Sequence, residues 1–146
     1  MSTIAQSVTL SRPAAATAFP IVLLGRVLFA LIFLMTIFGH FSSQTIAYAA
    51  SQGVPLASLV VPLSGIIAIL GGLSIVLGYR AKVGAWMIVL FLAAVTPMHK
   101  FWAISDAMMH QLQMIMFLKN LSMLGGALLI TQFGAGPWSL DNRSER

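Results

Sequence analysis

Four stretches of this chain are long and apolar enough to cross a bilayer, and they leave little sequence for anything else. They run from Phe19 to Phe41, from about Leu56 to Tyr79, from Val83 to about Met98 and from Gln111 to Phe133. A helix rising about 1.5 Å per residue needs about 20 residues to cross the hydrocarbon layer. The third run barely suffices, and it is expected to end in an interfacial turn around Pro97. Backbone polar groups have no water to bond in lipid, so such runs are helices. The fold class that follows is all-α: an integral membrane four-helix antiparallel bundle. Hydrophobic residues make up 59% of the chain and charged ones 8%, far from soluble averages.

Residues 1–18 are mostly Ser, Thr, Ala and Gln with one cation, Arg12, and read as a flexible cytoplasmic tail. Residues 19–133 form the four-span domain, and 134–146 a cytoplasmic C-terminal tail. Orientation follows the cations. Arg12 precedes the first span, Arg80 and Lys82 fill the tight second connection, and Arg143 and Arg146 follow the fourth. The first connection, Ser42 to Pro55, carries no charge, and the third sets Lys100 against Asp106. Both termini are therefore expected inside. Ala47-Tyr48-Ala49 resembles a signal-peptide cleavage site, but the preceding run is too long and the site too far beyond it.

Composition excludes several classes of function. With no cysteine there are no disulfides, thiolate nucleophiles or cysteine-held clusters. The net charge of +5 is spread over single cations with no basic stripe, so nucleic acid is not an expected partner; the lipid bilayer is. No paired carboxylates, phosphate loop or nucleophile elbow is present. No catalytic residue is assigned.

Two features stand out against the apolar background. The pairs Gly71-Gly72 and Gly125-Gly126 lie in similar settings in the second and fourth spans, where they suit close helix approach in lipid. Arg26 and Lys119 are lone cations within spans, about 10 Å and about 13 Å in from opposite faces of the membrane. None of the three acids lies in a span. One reading places Arg26, Lys119 and Asn120 in a pocket for an anion or a quinone carbonyl. In the other, each cation snorkels to an interface or bonds helix-end carbonyls.

The motifs Leu24-Gly25-Arg26, Gly53-x-Pro55, Gly71-Gly72 with Gly78-Tyr79, His99-Lys100-Phe101-Trp102, Lys119-Asn120-Leu121 and Gly136-Pro137-Trp138-Ser139-Leu140-Asp141 occur in an order that resembles the DoxX family. The resemblance spans roughly residues 21–143. It implies a multi-pass protein of the bacterial inner membrane, akin to membrane subunits of quinone-linked oxidoreductases. The function expected is a DoxX-type subunit that binds a quinone-like or anionic small molecule and supports a redox-protein partner, with no covalent cofactor. A structural anchor or assembly subunit and a small-molecule or anion binding or transport module are the alternatives, and a further copy of the chain is a candidate partner in a homo-oligomer.

The histidines form a further group. His40, His99 and His110 fall at the outer ends of spans one, three and four, with Asp106 four residues before His110. His40, His99, Asp106 and His110 are candidate metal ligands by residue type, although their spacing matches no established metal signature. In a milder reading His99 bonds a quinone headgroup beside Phe101 and Trp102. The tryptophans also serve simply as interfacial anchors.

Overall fold

The computed structural model describes residues 19–144. The expected N-terminal tail, residues 1–18, lies outside the described residues. All regular elements among those described are helical. Four helical segments are long and apolar enough to span a membrane: Ile21–His40, Ala57–Leu77, Ala81–Ala103 and Ala107–Phe133. The first consists of α1 (Phe19–Met35) and α2 (Ile37–His40), divided at Thr36, whose hydroxyl donates to the Phe33 carbonyl at 3.1 Å. The second is α4 (Ala57–Leu77), and the fourth is α6 (Ala107–Phe133).

The third span behaves as its short run suggests. Helix α5 (Ala81–Val95) gives way to 3-10 turns at Thr96–Met98 and Phe101–Ala103. Pro97 lacks the amide that would continue the helix. The buried Thr96 hydroxyl donates to the Leu92 carbonyl at 2.5 Å, satisfying a helix-end acceptor.

The first connection departs from the sequence reading, which assigned it no element. It contains helix α3 (Ser43–Ser51), started by Ser42, whose Oγ accepts from the Thr45 amide at 3.2 Å. Ala49 of α3 forms a small apolar cluster with Ala57 and Val61, flanked by Val54 and Met98. The fourth span starts earlier than expected, because Asp106 accepts from the Met109 amide at 2.8 Å and caps α6.

Within the bundle α1 packs on α4, α4 on α5 and α5 on α6. The main core comprises Ala30, Phe33, Ala68, Ile75, Ala85, Ile88, Leu92 and Ala127. Glycines set the closest approaches. A Cβ on Gly71 would stand 2.8 Å from the Gly84 carbonyl of α5, while Gly72 faces Leu34 and Phe33 of α1. Gly126 receives the Phe29 ring, whereas Gly125 has no neighbour there. Three of the four paired glycines thus act as packing notches.

Candidate functional site

The densest polar constellation lies where α4 turns into α5. Gly78 ends α4 in the left-handed region at φ 64°, with its amide on the Ile75 carbonyl and the Tyr79 amide on the Ser74 carbonyl. This is a Schellman ending, which favours glycine. Arg80 also has positive φ, at 47°, and α5 begins immediately after it. The chain therefore reverses within three residues, leaving the first amides of α5 in need of acceptors.

The segment after α6 supplies them. Asp141 lies in the short helix α7 (Leu140–Ser144), and its carboxylate accepts from the Arg80 amide at 2.7 Å and the Ala81 amide at 3.0 Å. Its own amide donates to the Gly78 carbonyl at 2.8 Å. The carboxylate thus caps a helix 60 residues earlier in the chain.

Arg26 is clasped by the same segment. Only 4% of the residue is exposed, and its Nη2 donates to the Trp138 carbonyl at 2.7 Å. Nη1 lies against Gly78 and Ser139, so closely that Gly78 has no room for a side chain. Asp141 is within electrostatic reach of the guanidinium. Nε and Nη1 are buried and have no hydrogen-bond partner among the described residues. Each buried donor left unpaired costs roughly 1–3 kcal/mol, so the clasp leaves Arg26 undersatisfied.

Ser139 separates this buried guanidinium from an open groove of about 1420 Å³ between the α4–α5 turn and the C-terminal segment. Arg80, Lys82, Tyr79, Phe133 and Asp141 contribute to its walls. It combines two exposed cations with apolar and aromatic surface.

Lys119 belongs elsewhere, which corrects the expected pocket between it and Arg26. Gly126 of α6 meets Phe29 of α1, and the two helices run in opposite senses. Counting along each axis from that contact separates Arg26 from Lys119 by on the order of 15 Å. Arg26 reaches away towards Trp138, while the Lys119 ammonium donates to Met116 Sδ at 3.3 Å. Asn120 is buried on α6, remote from the Arg26 clasp.

The histidines at the far end also have separate environments. His40 Nδ1 lies 3.0 Å from the Thr36 carbonyl, with its ring 5.6 Å from that of Phe91. His99 Nδ1 lies 2.6 Å from Gln113 Oε1, and the His110 ring is 5.7 Å from Phe101. Asp106 is engaged as the α6 cap. Among the described residues no three His, Cys, Asp or Glu side chains are placed to hold a metal ion, so the candidates His40, His99, Asp106 and His110 do not converge on one site. Trp102 packs at 5.1 Å on Phe101 and 6.3 Å on Phe117, while His99 turns to Gln113. A smaller cavity of about 330 Å³ lies nearby, walled by Tyr48, Gln52, Lys100 and Gln113 among others, and neither His99 nor Trp102 lines it.

The clasp itself was missed by the sequence reading, which left residues 134–146 as a tail. Its signal was an acid, Asp141, four residues after the turn-forming run Gly134 to Pro137.

Four apolar spans with the C-terminal segment folded back on the helix ends define a multi-pass helical membrane protein. Residues 9–146 match the model of the SURF4 family, and the chain belongs to that family. This overturns the DoxX resemblance. Its glycine and Arg26 motifs mark helix packing and tail docking, which report a bundle rather than a lineage. Neither a curated protein nor a solved structure matches the chain.

Proposed function

We propose that this SURF4-family chain is a non-catalytic binding module that takes an anionic small molecule or headgroup at the Arg26 end of the bundle. The observation that carries the reading is a buried guanidinium with two unpaired nitrogens next to a groove bearing Arg80 and Lys82. Buried cations in membrane spans serve as ligand or ion sites when no intramembrane acid neutralises them. Arg80 and Lys82 would attract the anion first, and the apolar and aromatic walls suit an attached hydrocarbon body.

The cation bias supports a cytoplasmic opening for this groove. The redox role and the bacterial inner membrane were expectations tied to DoxX, and they lose that support with the family assignment. A quinone offers carbonyl acceptors but no charge, so it would depend on Arg26 while being indifferent to Lys82.

Native mass spectrometry with lipid extraction tests the reading on detergent-purified wild type and the Arg26→Gln and Lys82→Gln variants. The expected result is a retained anion, lost or depleted in both. A quinone lost only in Arg26→Gln would replace the anionic reading with the quinone one. Bulk phospholipid with a stoichiometric second protein would replace it with an anchoring role.

A further inference from the structure

The groove's strongest fixed donors are already taken by the chain's own carboxylate. Asp141 holds the Arg80 amide at 2.7 Å and the Ala81 amide at 3.0 Å, at the start of a 15-residue helix. An anion entering the groove therefore meets a negative charge on the donors it needs. Two residues separate Asp141 from Trp138, whose carbonyl receives Arg26. Lifting Asp141 off α5 also draws that carbonyl from the guanidinium, whose Nε and Nη1 are unpaired even with the segment docked.

From this geometry we infer that Asp141 is an internal stand-in for the ligand, that the ligand is a phosphate monoester, and that its binding displaces the C-terminal segment and uncovers Arg26. This deepens the anionic-ligand reading and rests on it. The ligand class follows from the competition. A monocarboxylate only exchanges one acceptor pair for another of equal charge. A phosphate monoester brings three terminal oxygens and nearly two negative charges at neutral pH. That suits two backbone amides flanked by Arg80 and Lys82, with Arg26 released beside them. The headgroup of phosphatidic acid and a free phosphate ester share this chemistry.

The test uses the full chain in phosphatidylcholine nanodiscs with a spin label on Asn142→Cys, an exposed position in a protein with no other cysteine. Phosphatidic acid in the disc and soluble glycerol 3-phosphate are added separately, and label mobility and affinity are both read. A mobile fraction that rises with either probe supports the inference. Release by both probes means that a free ester suffices, and release by phosphatidic acid alone means that the site takes the lipid headgroup.

Asp141→Asn removes the competing charge and should tighten binding about tenfold, the size of one charge-assisted hydrogen bond. Should that variant fail to fold, the labelled Asn142→Cys chain with native Asp141 still decides the question. Lys82→Gln should weaken binding with the segment still docked in the absence of ligand. Binding of a probe with the label immobile overturns the displacement while leaving the anionic reading intact. Absence of probe binding to unlabelled wild type and to Asp141→Asn overturns the phosphate monoester, while a different anion retained in the mass spectrometry would keep the anionic reading.

Discussion

Arg26 is held by main chain rather than by a paired carboxylate, and this determines what its removal does. One nitrogen bonds the Trp138 carbonyl while two are unpaired, so the guanidinium brings little net stability. Arg26→Met should leave the thermal stability of the bundle within about 1 kcal/mol of wild type. The same change should free the C-terminal segment, read as faster limited proteolysis after Phe133. Gly78→Ala should act differently. Its φ of 64° penalises any side chain by roughly 1–2 kcal/mol, and its Cβ would collide with Arg26 Nη1 and Ser139. Both a lower melting temperature and a released segment are expected. That Arg26 is unusual was legible in the sequence, since it stands alone in an apolar run. Its partner was not, because a carbonyl 112 residues away has no side-chain identity.

At the scale of elements, the spans were readable from hydropathy because a bilayer demands length and apolarity together. The ends were less readable. Helix α3 and the early start of α6 depend on single caps, Ser42 and Asp106, that lie outside the apolar runs. In the sequence Asp106 reads as a candidate ligand because a cap and a ligand use the same carboxylate. Asp106→Ala should cost roughly 0.5–2 kcal/mol through fraying of α6. Isothermal titration with zinc on the same variant should show no loss of binding relative to wild type. The α4–α5 seam makes a sharper comparison. Gly71→Ala forces a Cβ against the Gly84 carbonyl and should destabilise the bundle in a denaturation series. Gly125→Ala meets nothing within 4 Å and should be neutral, or stabilising by up to about 1 kcal/mol from helix propensity. Equal effects from the two glycines would mean that the seam does not set the helix separation.

For the molecule as a whole, composition alone specified a membrane bundle, whereas the rotation of its helices came only from side-chain packing. The Arg26–Lys119 pocket failed for this reason: two cations in facing spans can differ in depth and direction without altering hydropathy. The sidedness of the bundle is a global property of the same kind, set by where cations gather relative to the membrane. Arg80, Lys82 and Arg143 share one end with the clasp, while the opposite end has Lys100 beside Asp106 and an uncharged first connection. Four crossings separate these ends by the full bilayer. Single cysteines at Asn142 and at Ser105, introduced into a chain that has none, should therefore react with an impermeant maleimide from opposite sides. The Asn142 position should label only after the cells are permeabilised, and the Ser105 position in intact cells. Labelling of both from one side would refute the four-span arrangement. Inverted labelling would keep the bundle but place the groove and its two cations on the outer face, where an extracellular anion would be the ligand to seek.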